Sequence, residues 1–282
     1  MQRIDIKKTE LDLSQYIKRS AVPSDYQTLI TGDTIVVENN EPKILYKKID
    51  PNLTNELRKA VISIKYEKGT RTTGLKSESR IFGYSPRNTI RKDYCSSTSL
   101  AYQDPGINQV ICDFGEHLSS LYKEYFPEVF KNHSDVVSGK ILKEWRIGET
   151  PFTSGIVNKN NPLKYHFDAG NIKNVLSNMV VFKNNTEGGY LACPEYNIGF
   201  EVADNTAILF DGQKILHGVT PIKKTNRDTS YRYSIVYYTL QQMWNCMPIN
   251  DEIARAQKVR TKRENGRASG NITMSDLQTD KP

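Results

Sequence analysis

The sequence predicts an α+β fold, a β-sandwich or jelly-roll core flanked by helices, and two observations lead there. From about Ile141 to Trp244, short apolar runs are divided by turns at regular spacing: Ile156-Val157, Met179 to Phe182, Tyr190 to Cys193, Gly199 to Val202, Ala207 to Phe210 and Tyr233 to Thr239. Upstream, Ile107, Ile111, Phe114, Leu118, Leu121 and Tyr125 step alternately by four and three, the apolar stripe of an amphipathic helix that Pro127 ends. A chain of 282 residues can bury a sizeable core, as one large domain or two small ones.

Taken in order, residues 1–75 read as an α/β lead-in. Thr34 to Val37 and Lys43 to Tyr46 form short strands across the polar turn Glu38 to Pro42. Leu53, Leu57 and Val61 mark a helix after Asp50-Pro51, and Lys68 to Gly74 is a basic loop. Residues 76–140 add a support segment. Within it, Arg80, Arg87, Arg91 and Lys92 are interleaved with Phe82, Tyr84 and Tyr94, a pattern that suits phosphate or carboxylate contact and equally suits a solvated basic loop. His117 and His133 have no acidic or histidine neighbour at ligand spacing and read as surface or capping residues. The β-rich core occupies 141–248. The final stretch, 249–282, carries a basic helix over Ile253 to Arg263 and a polar, mobile end from Gly266.

With 37% hydrophobic and 25% charged residues, the composition is that of an ordinary globular protein. No apolar run approaches the roughly 20 residues of a membrane span, and the first residues lack the apolar centre of a signal peptide, so an intracellular protein is expected. Cys95, Cys112, Cys193 and Cys246 stand far apart without zinc spacing and are expected to be reduced thiols. The net charge of +7 is compatible with a polyanionic partner and equally with a moderately basic protein that has none.

The chemistry concentrates between Tyr165 and Tyr238. In a strand, residues i and i+2 share a face, so His166 and Asp168 can point into one cavity. His217 follows the strand Ala207 to Phe210 and the turn Asp211-Gly212-Gln213. Two imidazoles and one carboxylate on one side of a metal leave the opposite positions open, the facial triad of non-heme Fe(II) oxygenases. Arg232, fifteen residues after His217, can hold a distal carboxylate bidentately, and Ser234 shares its face.

These motifs resemble the Fe(II)/2-oxoglutarate dioxygenases. Over 141–245 the likeness rests on His166-x-Asp168, Gly188-Gly189-Tyr190-Leu191 and the distal His217 followed by Arg232. His217-Gly-Val-Thr-Pro221 running to Arg232-Tyr-Ser-Ile-Val-Tyr-Tyr238 is similar to the TET/JBP group, which oxidises the methyl of 5-methylpyrimidines in nucleic acid. The stretch from Phe82 to Cys95 also resembles the segment that precedes the catalytic core in that group.

The resemblance implies a double-stranded β-helix (jelly roll, cupin-like) with flanking helices. It implies Fe(II) on His166, Asp168 and His217, 2-oxoglutarate on Arg232 and Ser234, and O₂ as co-substrate. Asn171 and Tyr238 match residues that contact and stack on a flipped base, and Arg87 and Arg91 would hold DNA. Leu240 stands where methylcytosine oxidases place a base-contacting histidine, which leaves thymine and 5-methylcytosine both open. Only 49 positions separate Asp168 from His217, so the form is compact, as in phage, bacterial and protist members. Two other readings are a hydroxylase of a protein side chain or small molecule, and a nucleic-acid-binding β-barrel module without catalysis.

Overall fold

Strand Ser177–Asn184 is the spine of the large sheet, because both of its edges and both of its faces are occupied. The computed structural model describes residues 1–70, 76–88 and 93–270. On one edge the spine pairs antiparallel with Thr206–Phe210, then Glu41–Lys48, then Thr34–Glu38, with Gln2–Asp5 added in parallel. On the other it pairs with Tyr231–Tyr238, followed by Ser154–Lys159, Lys76–Ser85 and Glu67–Thr70. Strands from residues 1–75 and from the β-rich core therefore share one sheet. A smaller sheet of Gly218–Val219, Leu191–Cys193, Ile198–Phe200 and Thr28–Ile30 faces it.

Period-two alternation assigns the two faces. Met179, Val181, Ile208, Phe210, Ile44 and Tyr46 pack toward Leu191, Ile198, Phe200 and Val219 of the small sheet. The intervening Val180, Phe182, Leu209, Leu45, Tyr233, Ile235 and Tyr237 pack against helices. Those helices are α1 (Pro51–Ser63), α2 (Ser99–Gln103), α3 (Pro105–Tyr125), α4 (Pro127–Lys140) and α5 (Ile249–Ala268). The start of α1 follows from Pro51 at its first position and Asp50, whose carboxylate accepts from the Asn52 amide. The α3 stripe buries Ile111, Phe114, Leu118 and Leu121 as its spacing predicts, and Pro127 both ends that run and opens α4. No helix among the described residues is long and apolar enough to cross a membrane.

Four expectations change. Lys68 to Gly74 is not all loop: Glu67–Thr70 is a strand on the edge of Lys76–Ser85, and residues 71–75 lie outside the described residues. Helix α5 runs through Gly266 to Ala268, longer than the basic cluster alone indicates. Cys95 and Cys246 form a disulfide, because the fold brings together segments 151 positions apart that spacing alone cannot relate; Cys112 and Cys193 remain thiols.

The fourth change concerns His133, which is wholly buried rather than on the surface. The Thr239 hydroxyl donates to the Pro151 carbonyl and so accepts from His133 Nε2 at 2.9 Å, tying α4 to the end of strand Tyr231–Tyr238. Tyr122 and Phe152 pack on the ring, and burial without a carboxylate partner pulls its pKa from 6.5 down to about 3.

A pH dependence follows. Below pH 6.5 the unfolded chain binds a proton that the folded His133 refuses until about pH 3, so stability is lost as pH falls through this window. Urea unfolding at pH 7 and pH 5 should differ by roughly 2 kcal/mol from this residue. His133→Gln should lose that part of the slope; an unchanged slope would contradict the assignment.

Candidate active site

The site begins with a backbone contact. The His166 amide donates to the His217 carbonyl at 3.0 Å and the His217 amide returns a bond to His166 at 3.2 Å, making an isolated antiparallel bridge. Residues that exchange both bonds stand directly opposite with their side chains on one face, and the two rings lie 4.4 Å apart between centroids. Asp168, two residues on, returns to that face, its amide held by the Gly212 carbonyl at 2.8 Å. Its Oδ1 lies 3.5 Å from His166 Nε2 and 3.7 Å from His217 Nε2.

Each ring is oriented in the same way. His166 Nδ1 donates to the Lys164 carbonyl at 2.8 Å and His217 Nδ1 to the Ile215 carbonyl at 2.9 Å. A carbonyl only accepts, so in the neutral rings Nε2 carries a lone pair aimed at Asp168. Burial pulls the His217 pKa below its ordinary value despite the Asp168 carboxylate, which favours that neutral form. Two lone pairs facing a carboxylate repel, and a divalent cation between them relieves the repulsion. The three ligand atoms lie within 4.8 Å of one another, so the set can hold a metal.

Close packing fixes the carboxylate. A Cβ on Gly212 would stand 2.2 Å from Asp168 Oδ2, so only glycine lets the Asp211–Gln213 turn approach. On the far side the Ser177 hydroxyl donates to Asp168 Oδ2 at 3.4 Å and accepts from Asn171 Nδ2 at 3.0 Å. Nothing in the sequence singles out Ser177 or the close approach at Gly212. The Asp211-Gly212 signal indicated a turn, and Ser177 carries no motif.

Arg232 is the second centre. The residue is 2% exposed, and Nε and Nη2 have no hydrogen-bond partner among the described residues. Burial pulls its pKa below the usual guanidinium range, down to about 10, and no carboxylate among the described residues opposes the fall. Desolvation of that size costs on the order of 3 kcal/mol. The Arg232 backbone is clamped by Asn160, whose Oδ1 accepts from its amide and whose own amide donates to its carbonyl, both at 2.8 Å. Gly189, at φ 70°, lets the chain pass with a would-be Cβ 2.7 Å from Arg232 Cδ. A buried cation with unpaired donors fits an anion that the described residues do not provide.

The two centres share one cavity of about 230 Å³ between the sheets. His166, Asp168, His217, Arg232, Ser234, Asn171 and Tyr238 all line it, with Met179, Phe210, Val236 and Leu240 as apolar wall. Asn171 and Leu240 face each other across a second isolated bridge at its rim. The basic residues fare differently. Arg87 pairs with the buried Glu252 instead of facing outward, since that carboxylate needs a cation inside the fold. Arg80, also from the basic stretch, is buried against Glu67 and Gln103. Arg91 lies outside the described residues.

Comparison with known proteins gives four matches. The family model described as the oxygenase domain of the 2OGFeDO superfamily, Tet_JBP, matches residues 80–241. The chain is 24% identical over 213 residues to thymine dioxygenase JBP1 of Trypanosoma brucei brucei, covering 74% of this chain and 25% of that protein. It is 31% identical over 159 residues to the bifunctional helicase and thymine dioxygenase JBP2 of strain 927/4 GUTat10.1, covering 55% of this chain and 14% of that one. The chain thus spans about a quarter or less of the length of these relatives. Among solved structures, NgTET1 in complex with 5mC DNA superposes with a TM-score of 0.60 at 16% identity, over 93% of this chain and 90% of that one. That likeness carries the fold, the double-stranded β-helix.

The lone guanidinium makes an unusual demand on stability. Arg232→Met should make the ligand-free protein more stable by about 1–3 kcal/mol, as replacing an uncompensated buried charge does. Denaturant unfolding checks this. A loss of stability would mean that Arg232 has an internal partner and is not waiting for a ligand.

Proposed function

The chain belongs to the Tet/JBP oxygenase domain family of the 2OGFeDO superfamily, and on that premise we propose that it hydroxylates the 5-methyl group of a pyrimidine, 5-methylcytosine or thymine, in DNA. Fe(II), 2-oxoglutarate and O₂ would be the cofactor and co-substrates. The observation that carries this reading is one cavity holding both a three-residue metal set and a buried arginine without a counter-charge among the described residues. The relatives named as thymine dioxygenases support the substrate class.

His166, Asp168 and His217 would hold the iron through Nε2, a carboxylate oxygen and Nε2. Arg232 would take the distal carboxylate of 2-oxoglutarate with its unpaired Nε and Nη2 donors, with Ser234 beside it on the same strand face. Bound there, iron with 2-oxoglutarate and O₂ supplies the oxidation that turns a methyl into a hydroxymethyl group, with succinate and CO₂ as co-products. The remaining work belongs to the chain. The apolar wall of Met179, Phe210, Val236 and Leu240 excludes water from the reacting centre. Because Ser177 gives its proton to Asp168, it can only accept from Asn171, which fixes the Asn171 amide. Tyr238 offers an aromatic surface at the cavity for a base extruded from the duplex. Leu240 presents no polar atom there, so the discrimination between thymine and cytosine falls to the other groups of the rim.

The test is turnover with Fe(II), ascorbate and 2-oxoglutarate on two duplexes, one with 5-methylcytosine and one with ordinary bases only, read as nucleosides by mass spectrometry. Hydroxymethylcytosine or hydroxymethyluracil should form and vanish with Asp168→Ala. Consumption of 2-oxoglutarate without either product would move the substrate to a protein side chain or small molecule.

A further inference from the structure

Helix α5 has no continuous apolar stripe, and the one residue it buries among the described residues is Glu252. Among the described residues, its anchoring contacts lie in the first turns. Buried Glu252 accepts from the Cys95 and Met247 amides, each at 2.9 Å, and from Arg87, and Arg255 pairs with Asp93 at 2.7 Å. The Cys95–Cys246 disulfide lies just before this root. The root is also close along the chain to the site: Leu240 lines the cavity, and the next residue, Gln241, bonds to the Gly170 carbonyl at 2.9 Å.

Beyond Arg255 the helix runs on for about 20 Å. That stretch holds Lys258, Arg260, Lys262, Arg263 and Arg267 against the single acid Glu264. Arg260 pairs with Glu264. Lys258, Lys262 and Arg263 make no ion pair or hydrogen bond among the described residues, whose ion pairs leave all three out. Lys258 and Lys262 stand four apart, a like-charge spacing that weakens an isolated helix and that an external polyanion would reverse. A 20 Å stretch matches about six base pairs of duplex rise.

We propose that the outer part of α5 grips the DNA backbone beside the cavity mouth, holding the duplex while the target base is extruded. This rests on the DNA reading above. The contact is to phosphate, independent of sequence, and adds to binding rather than to chemistry.

The experiment measures binding of a labelled duplex by fluorescence anisotropy between 50 and 200 mM salt. Wild type is compared with Lys258→Gln/Lys262→Gln/Arg263→Gln, glutamine being a good helix former. The triple variant should bind about tenfold or more weakly at low salt, and its log–log salt dependence should be shallower by about 2–3, near 0.9 per lost phosphate contact. Lys258→Arg/Lys262→Arg/Arg263→Lys should behave as wild type, and circular dichroism and 2-oxoglutarate affinity should match in all three. Equal affinity and slope in wild type and the glutamine variant overturn the grip alone. No duplex binding by wild type overturns the grip together with the DNA substrate. Weaker binding without a change of slope assigns the loss to something other than phosphate contact and also overturns it.

Discussion

The two-way backbone exchange between His166 and His217 is the contact on which the site depends. It joins residues 51 positions apart in an antiparallel register that leaves no choice of face. Once they are opposed, the i, i+2 rule brings Asp168 round to the same side, and carbonyls two residues before each histidine set both rings. A register slip of one residue would send both imidazoles to the opposite face. The surrounding structure guards against it: Gly212 leaves room for Asp168, and Ser177 steadies its second oxygen from the spine of the large sheet.

Arg232 shows the same economy with the opposite sign. Four alternate residues of one strand, Arg232, Ser234, Val236 and Tyr238, line the cavity, while Tyr233, Ile235 and Tyr237 between them anchor that strand to the helical layer. A guanidinium placed there without an internal acid destabilises the fold, and the fold tolerates it because the two clusters around it are extensive. Metal set and cation stand at separate positions of one cavity, an arrangement suited to a co-substrate with a chelating end and a distal carboxylate.

Much of this was legible in the sequence because strands obey a period of two. His166-x-Asp168 and Arg232-x-Ser234 needed only that rule, and the cavity contains all four. The stripe from Ile107 to Tyr125 located α3 in the same way. What could not be read depends on contacts between distant segments. Arg87 looked like a phosphate contact because the buried Glu252 that claims it lies 165 positions away. His133 lacked ligand-like neighbours in sequence and so read as a surface residue, yet its partner Thr239 is 106 positions distant. Cys95 and Cys246 failed to announce their bond for the same reason.

The central claim is that one cavity binds iron on His166, Asp168 and His217 and 2-oxoglutarate on Arg232. Anaerobic addition of Fe(II) and 2-oxoglutarate, without nucleic acid, tests it most directly through the visible charge-transfer absorption of a 2-oxo acid chelated to Fe(II). The band should require both components, saturate at one iron per chain and be absent in Asp168→Ala. In Arg232→Met it should need far more 2-oxoglutarate. No band in the wild type, or an equal band in Asp168→Ala, would contradict the account.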